Sequence, residues 1–347
     1  MVARAEEQAM LAAIAASEQV RGTTSPNPPV GCVVLAADGE VVGVGATQPP
    51  GGPHAEVVAL RAAGERARGG TALVTLEPCA HTGRTPPCTD ALRSAGIARV
   101  VHAASDPNPQ AAGGADVLRA AGIDVHSGFM VDVVEKGPLR AWLHFARTGR
   151  PHVTWKYAAT LDGRSAAADG TSKWISSAES RAEVHRFRAQ VDAIIAGTGT
   201  VLADDPQLTA REPDGALRAR QPLRVVVGDR EIPRAAKVFD DAAETIQLPG
   251  GDPAAVLAAL ADRGIVDVLL EGGPRLAGAF IAARHVDRVL AYVAPLLLGA
   301  GPAALGEAGV GSISEAWRLS IEETTMSGPD VRISAVPLDG RPGAEAR

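Results

Sequence analysis

The sequence predicts an α/β protein with a largely parallel sheet. Three observations carry this. Short β-branched runs alternate with Ala/Leu/Arg-rich helical segments. Glycine closes three helix-to-strand joints in the same way, in Leu92–Ile97, Leu118–Ile123 and Ala261–Ile265. At 347 residues the chain is long enough for about two domains, and 46% hydrophobic residues can furnish a core for each.

In chain order, Ala5–Ser17 reads as an amphipathic first helix. Strands follow at Gly31–Ala36, Thr71–Leu76 and Arg99–Ala103, with helices at Ala55–Arg68, Ala91–Ala95 and Val117–Ala121. Arg147–Pro151 is polar and broken by Gly149 and Pro151, which marks a boundary before the apolar run His152–Ala159. Beyond it, strands are expected at Val191–Ala196, Arg224–Val227, Val266–Leu270 and Val286–Val293. Helices are expected at Ala178–Gln190, Ala255–Arg263 and Arg275–Arg284. The expected division is 1–147, 151–338 and a frayed tail 339–347.

Composition narrows the function classes. The net charge of −6, without a basic run, argues against a nucleic-acid-coating protein. The most apolar stretch, Val289–Leu298, is short and broken by Pro295, so no membrane span is expected. Three cysteines are too few for a disulfide framework and suit a reducing, cytosolic setting. Cys32 lies in an apolar strand and reads as core.

Cys79, Cys88 and His54 form a chemically coherent set. Two thiolates and an imidazole suit zinc, and three protein ligands leave a fourth position for water. Glu56, two residues beyond His54, is placed to move protons beside that position. The order His-x-Glu, then Pro-Cys, then Cys is that of the zinc deaminases, except that eight residues rather than two separate the cysteines. A structural zinc with His81 as fourth ligand is the competing reading, but it would have no use for Glu56.

The second half is less legible. Gly197–Thr200 and Gly272–Gly278 are glycine-bearing turns after apolar strands. They suit phosphate binding, or plain strand-to-helix connection, and neither completes a dinucleotide fingerprint. Lys156, Ser172, Trp174, Arg188 and Arg211 are scattered polar candidates around these turns. An arginine fork fits a phosphate monoester, although each arginine alone also reads as a solvated surface group.

Together these motifs resemble one family. Asn27–Cys32, His54-Ala-Glu56, Glu77–Cys88 and Asp106–Pro109 look like the deaminase half of the bifunctional RibD family of riboflavin biosynthesis. Lys156, Leu161–Arg164, Trp174–Ser176, Thr200–Arg211 and Glu271–Pro274 look like its reductase half. The resemblance spans Ala5 to about Val336. One departure is Gly113-Gly114-Ala115, where the family has a Gly-x-Gly pair.

The resemblance implies a cytidine-deaminase-like three-layer α/β/α domain followed by a dihydrofolate-reductase-like α/β domain. It implies hydrolytic loss of the 2-amino group of 2,5-diamino-6-ribosylamino-4(3H)-pyrimidinone 5′-phosphate, then NADPH reduction of the ribosyl group to ribityl. It assigns zinc to His54, Cys79 and Cys88, and the deaminase proton shuttle to Glu56. Asn27 and Arg84 become substrate contacts there. In the reductase half it places Ala158, Trp174, Thr200, Asp204 and the turn Gly273, Pro274, Arg275, Leu276, Ala277, Gly278 and Ala279 on the cofactor. Ser172, Arg188, Leu208, Arg211 and Glu271 fall on the substrate, with the arginines near its 5′-phosphate. Lys156 is the expected acid or electrostatic stabiliser of hydride transfer. The expected partner is a small phosphorylated pyrimidine, with a homodimer or tetramer through the second half compatible with the resemblance.

Overall fold

In the computed structural model, which describes residues 4–81 and 86–338, the chain divides into two units, Met1–Arg150 and Pro151–Arg347.

The first unit runs α1 (Arg4–Gln19), β1 (Gly31–Leu35), β2 (Val41–Ala46), α2 (Ala55–Ala63), β3 (Thr71–Leu76), α3 (Cys88–Ser94), β4 (Arg99–Ala104), α4 (Gly114–Ala120), β5 (Asp124–Ser127), α5 (Val131–Lys136) and α6 (Arg140–Thr148). Its sheet has the order β2-β1-β3-β4-β5. β1 is antiparallel to β2 and β3, whereas β3, β4 and β5 are parallel.

The two faces of β1 and β2 explain how the helices sit. A Cβ on Gly31 would lie 1.9 Å from the carbonyl oxygen of Ala13 in α1. On the opposite face, Cβ atoms on Gly43 and Gly45 would lie 2.1 and 2.4 Å from the carbonyls of Ala59 and Ala55 in α2. Because paired residues such as Cys32 and Gly45 share a face while neighbours alternate, α1 and α2 cover opposite sides of the sheet. The side-chain-free approach sets α2, and therefore the residues at its start, directly against β2.

The second unit runs β6 (His152–Thr160), α7 (Ala178–Gln190), β7 (Ala193–Gly197), α8 (Thr198–Asp204), β8 (Leu223–Val227), β9 (Thr245–Leu248), α9 (Pro253–Ala261), β10 (Asp267–Leu270), α10 (Pro274–Ala282), β11 (Arg288–Ala294), β12 (Leu319–Ser327) and β13 (Asp330–Pro337). The sheet order is β12-β13-β11-β6-β10-β7-β8-β9. Every pair from β11 to β9 is parallel; β13 adds antiparallel to β11, and β12 antiparallel to β13. Val153, Ile195, Val225, Val268 and Leu270 anchor its largest core with Phe280 and Leu257 from the helices.

The expectation of parallel sheets is thus corrected at the margins of both units. The expected helix Ala55–Arg68 is also shorter: α2 ends at Ala63, where Gly64 takes φ 55°, and a 3-10 turn follows. Among the described residues no helix is long and apolar enough to cross a membrane.

Candidate active sites

In the first unit, four connections converge at the carboxyl ends of β3 and β4. His54 occupies the residue before α2 in extended conformation, and Glu56 lies in the first turn of α2. Cys79 follows β3 through Glu77-Pro78, and Cys88 opens α3 behind Pro87. The pairing of β1 with β3 returns Asn27–Val30 to the same end, where Gly31 N donates to Thr75 Oγ1 at 3.0 Å.

His54 Nδ1 lies 3.2 Å from Cys88 Sγ and 3.7 Å from Cys79 Sγ, and the three atoms all fall within 4.8 Å of one another. Tetrahedral zinc with ordinary Zn–N and Zn–S bonds puts its donors about 3.5–3.8 Å apart, so the donors fit. Their electrostatics fit as well. Hydrogen bonding from Cys88 holds the Cys79 thiol well below its ordinary value, while that same contact and burial push Cys88 up. One thiolate is favoured and the second resisted, the imbalance that a dication relieves.

Glu56 is buried, with 4% exposure, and burial raises its carboxyl to about 6. It lines a cavity of about 550 Å³ together with His54, Cys79, Asn27, His81 and Asp106. His81 lines the cavity, and its Nδ1 has no hydrogen-bond partner among the described residues. Asn108, from the Asp106–Pro109 motif, is also on the wall; Trp142 and Phe145 were not singled out by sequence, because the aromatic pair comes from α6, whose distance along the chain hides it. Arg84 lies outside the described residues.

Glu77 ties the cavity wall together. Its carboxylate accepts from Asp106 N at 3.3 Å and Ala115 N at 3.0 Å. The departure at Gly113-Gly114-Ala115 has a local reason. Gly113 takes φ 89°, and a Cβ on Gly114 would lie 1.7 Å from the Pro78 carbonyl. Gly114→Ala should therefore displace Pro78-Cys79. The expected cost is about 1–3 kcal/mol of stability, measurable by thermal unfolding, together with reduced zinc content.

In the second unit the sequence candidates fall into two groups. Glu271, just beyond β10, accepts from Arg188 of α7 at 2.6 Å and 3.0 Å, and Lys156 Nζ of β6 lies 3.9 Å from it. All three side chains are largely buried, so Arg188 is not the solvated group that it looks when read alone. Burial alone raises Glu271, but Arg188 and then Lys156 outweigh it and hold the carboxyl at about 2. Burial also lowers Lys156 from its ordinary value. Lys156 Nζ sits 6.0 Å from the centre of the Tyr292 ring.

The other group surrounds α8 and the start of α10. Thr200 Oγ1 accepts from Gly273 N at 3.0 Å, joining the two glycine-bearing turns. Lys173 Nζ donates to the Asp204 carbonyl at 3.2 Å, and the Trp174 ring, 67% exposed, stacks 4.5 Å from the Arg181 guanidinium carbon. Ser172, half-buried, accepts Ile175 N at 3.1 Å through its carbonyl. Ala277 is buried, and Gly278 packs where a Cβ would meet the Glu307 carbonyl at 2.0 Å; Arg275 and Ala279 are exposed. Leu208, buried and with φ 53°, shares a loop with Arg211.

Comparison with known proteins adds the family. The cytidine and deoxycytidylate deaminase zinc-binding region matches residues 3–104, and the RibD C-terminal domain matches 151–333. The riboflavin biosynthesis protein RibD of Mycobacterium tuberculosis H37Rv is 56% identical over 330 residues, covering 95% of this chain and 97% of that protein. The chain belongs to the RibD family. The Escherichia coli K12 member is 41% identical over 365 residues, covering 95% and 99% of the two chains. Among solved structures, Acinetobacter baumannii RibD, form 1, matches with a TM-score of 0.86 at 37% identity, covering 97% of this chain and 99% of that one. A diaminohydroxyphosphoribosylaminopyrimidine deaminase/5-amino-6-(5-phosphoribosylamino)uracil reductase from Thermotoga maritima matches with a TM-score of 0.86 at 34% identity, covering 96% and 99%. As a member, the chain is a bifunctional riboflavin-pathway enzyme, a zinc deaminase joined to a nicotinamide-dependent reductase.

Proposed function

We propose that the first unit removes the 2-amino group of 2,5-diamino-6-ribosylamino-4(3H)-pyrimidinone 5′-phosphate by hydrolysis, and that the second reduces the ribosyl group of the deaminated product with NADPH. The observation that carries the first half is the meeting of His54 Nδ1, Cys79 Sγ and Cys88 Sγ beside a buried Glu56 in one cavity. Zinc at those three donors would supply the Lewis acidity that makes a water acidic near neutral pH.

Glu56 does the proton work. Its carboxyl, raised to about 6 by burial, is poised to exchange protons near neutrality. It takes a proton as water oxygen bonds to C2 and delivers it to the amine as the C–N bond breaks, so ammonia leaves and a carbonyl remains. Asn27, and Arg84 beyond the described residues, are proposed to hold the pyrimidine and its phosphate.

In the second unit the nicotinamide supplies the hydride. The hydride goes to C1′ of the open-chain imine, and the imine nitrogen gains a proton. Lys156 is proposed as the acid or as the positive charge that favours this transfer, with Glu271 and Arg188 fixing its position. Ala158, Trp174, Thr200, Asp204 and Gly273–Ala279 are the proposed cofactor contacts. Ser172, Arg188, Leu208, Arg211 and Glu271 are the proposed substrate contacts. Three free cysteines, two of them proposed metal donors, suit a reducing compartment, which supports a cytosolic enzyme.

The direct test supplies the diamino substrate with NADPH and follows ammonia and NADPH absorbance separately. His54→Ala should lose bound zinc, measured by metal analysis, and all ammonia release, while NADPH oxidation persists on the deaminated pyrimidine. Full ammonia release from a zinc-free His54→Ala protein would refute the assignment.

A further inference from the structure

The loop from Asp205 to Arg211 carries two proposed substrate contacts, yet its conformation is not intrinsically favoured. Asp205 and Leu208 both hold positive φ, 42° and 53°, which costs a non-glycine residue of order 1 kcal/mol or more. Something must hold it. Behind the loop lies Arg224 of β8, with a side chain 0% exposed. It donates to the Gln207 carbonyl at 3.2 Å, to Asp240 Oδ1 at 2.7 Å, to the Asp240 carbonyl at 2.6 Å and to the Ala243 carbonyl.

Gln207 connects this buried anchor to the site. Its Nε2 donates to Asp240 Oδ2 at 2.6 Å, and its Oε1 accepts from Arg211 Nη2 at 2.5 Å. The partners dictate the amide's orientation, because a guanidinium only donates and an ionised carboxylate only accepts. A neutral bridge between them needs a donor at one end and an acceptor at the other. Carboxylate at position 207 would face Asp240 with like charge, and an apolar side chain would serve neither partner.

Arg211 is held at two further points, by Thr209 Oγ1 at 3.2 Å and the Gly215 carbonyl at 2.5 Å. Three of its five N–H groups are therefore committed, and one on each terminal nitrogen is left to grip an anion as a fork. The same loop is fastened on its other side, where Arg188 Nη1 donates to the Thr209 carbonyl at 3.0 Å while its remaining nitrogens hold Glu271.

We infer that Gln207 is a positioning residue for phosphate recognition in the reductase site, transmitting the fixed Arg224–Asp240 pair to the Arg211 fork. This rests on the reading of Arg211 as a contact to the substrate's 5′-phosphate. Gln207 touches no substrate itself.

The test uses the full-length, zinc-loaded enzyme and two reductase substrates, the deaminated ribosylaminopyrimidine 5′-phosphate and its 5′-hydroxyl counterpart. Gln207→Met should raise KM for the phosphate ester about tenfold, as expected for misplacing one charge-assisted hydrogen bond. It should leave kcat, KM for NADPH, turnover of the 5′-hydroxyl compound and ammonia release unchanged. Gln207→Glu combined with Asp240→Asn reverses the donor and acceptor and should restore the lower KM. Arg211→Ala should erase the preference for the phosphate ester.

If Arg211→Ala erases that preference and Gln207→Met leaves it intact, the positioning role is overturned while the Arg211 reading stands. If Arg211→Ala leaves the preference intact, the Arg211 reading falls and the inference with it. Equal losses on both substrates from Gln207→Met, unrepaired by the double variant, would mark Gln207 as a general structural support and overturn the proposal.

Discussion

Glu56→Gln should retain zinc and lose ammonia release by at least about a hundredfold, the lower range for removing a positioned acid–base group. The amide occupies nearly the same volume, and none of the three converging donor atoms belongs to residue 56. What is lost is the ability to take a proton and give it back. The reductase should continue on supplied deaminated pyrimidine, because Lys156, Arg188 and Glu271 belong to the other unit. Starting from the diamino compound, NADPH oxidation should stop if reduction requires the deaminated ring. Metal analysis, ammonia release and NADPH absorbance on one preparation separate these outcomes. Zinc loss with Glu56→Gln would instead give the carboxylate a structural task and remove it from the chemistry.

The two sites differ in how much the sequence discloses, for a physical reason. Metal donors are drawn from few residue types and work through their own side chains. His54, Glu56, Cys79 and Cys88 could therefore be named before the fold was known, and the fold brings the three donors within reach of one ion. Helix closure was equally legible, since Gly96, Gly122 and Gly264 all take positive φ, at 72°, 83° and 75°. The wall residues Trp142 and Phe145 arrive from a helix remote in sequence, and nothing local marks them.

The reductase group works by convergence of common residues. Arg188 resembles any arginine on a polar helix until β10 delivers Glu271 to it. Gln207 lies within the Thr200–Arg211 motif, but nothing in that run of residues gives it a task; its meaning comes from Asp240 and Arg224, which are contributed by a loop and a strand beyond it. The β12–β13 hairpin escaped for another reason. β12 is an edge strand with mostly exposed, polar residues, so it lacks the apolar alternation by which half-buried strands are found.

The Lys156–Glu271–Arg188 cluster should show the largest stability effect. Two cations and one anion share a largely buried space, and among the described residues Glu271 is the carboxylate paired with both cations, 3.9 Å from Lys156 Nζ and 2.6 Å from Arg188 Nε. Glu271→Gln would leave Arg188 and Lys156 without their counter-charge, and breaking a buried pair in this way costs about 3–5 kcal/mol. Glu271→Gln should also reduce NADPH oxidation, because both proposed substrate-side cations lose their restraint. The pH dependence has a definite sign. Glu271 titrates near 2 when folded, below its ordinary value of 4.5, so its contribution is complete above about pH 4.5 and is lost as pH falls toward 2. Chemical denaturation of the wild type and Glu271→Gln at pH 7 and pH 3 should therefore show a stability gap that narrows in acid. A gap of constant size would show that the charge of Glu271 is not what holds the cluster, and with it would go the electrostatic account of how Lys156 is kept in place.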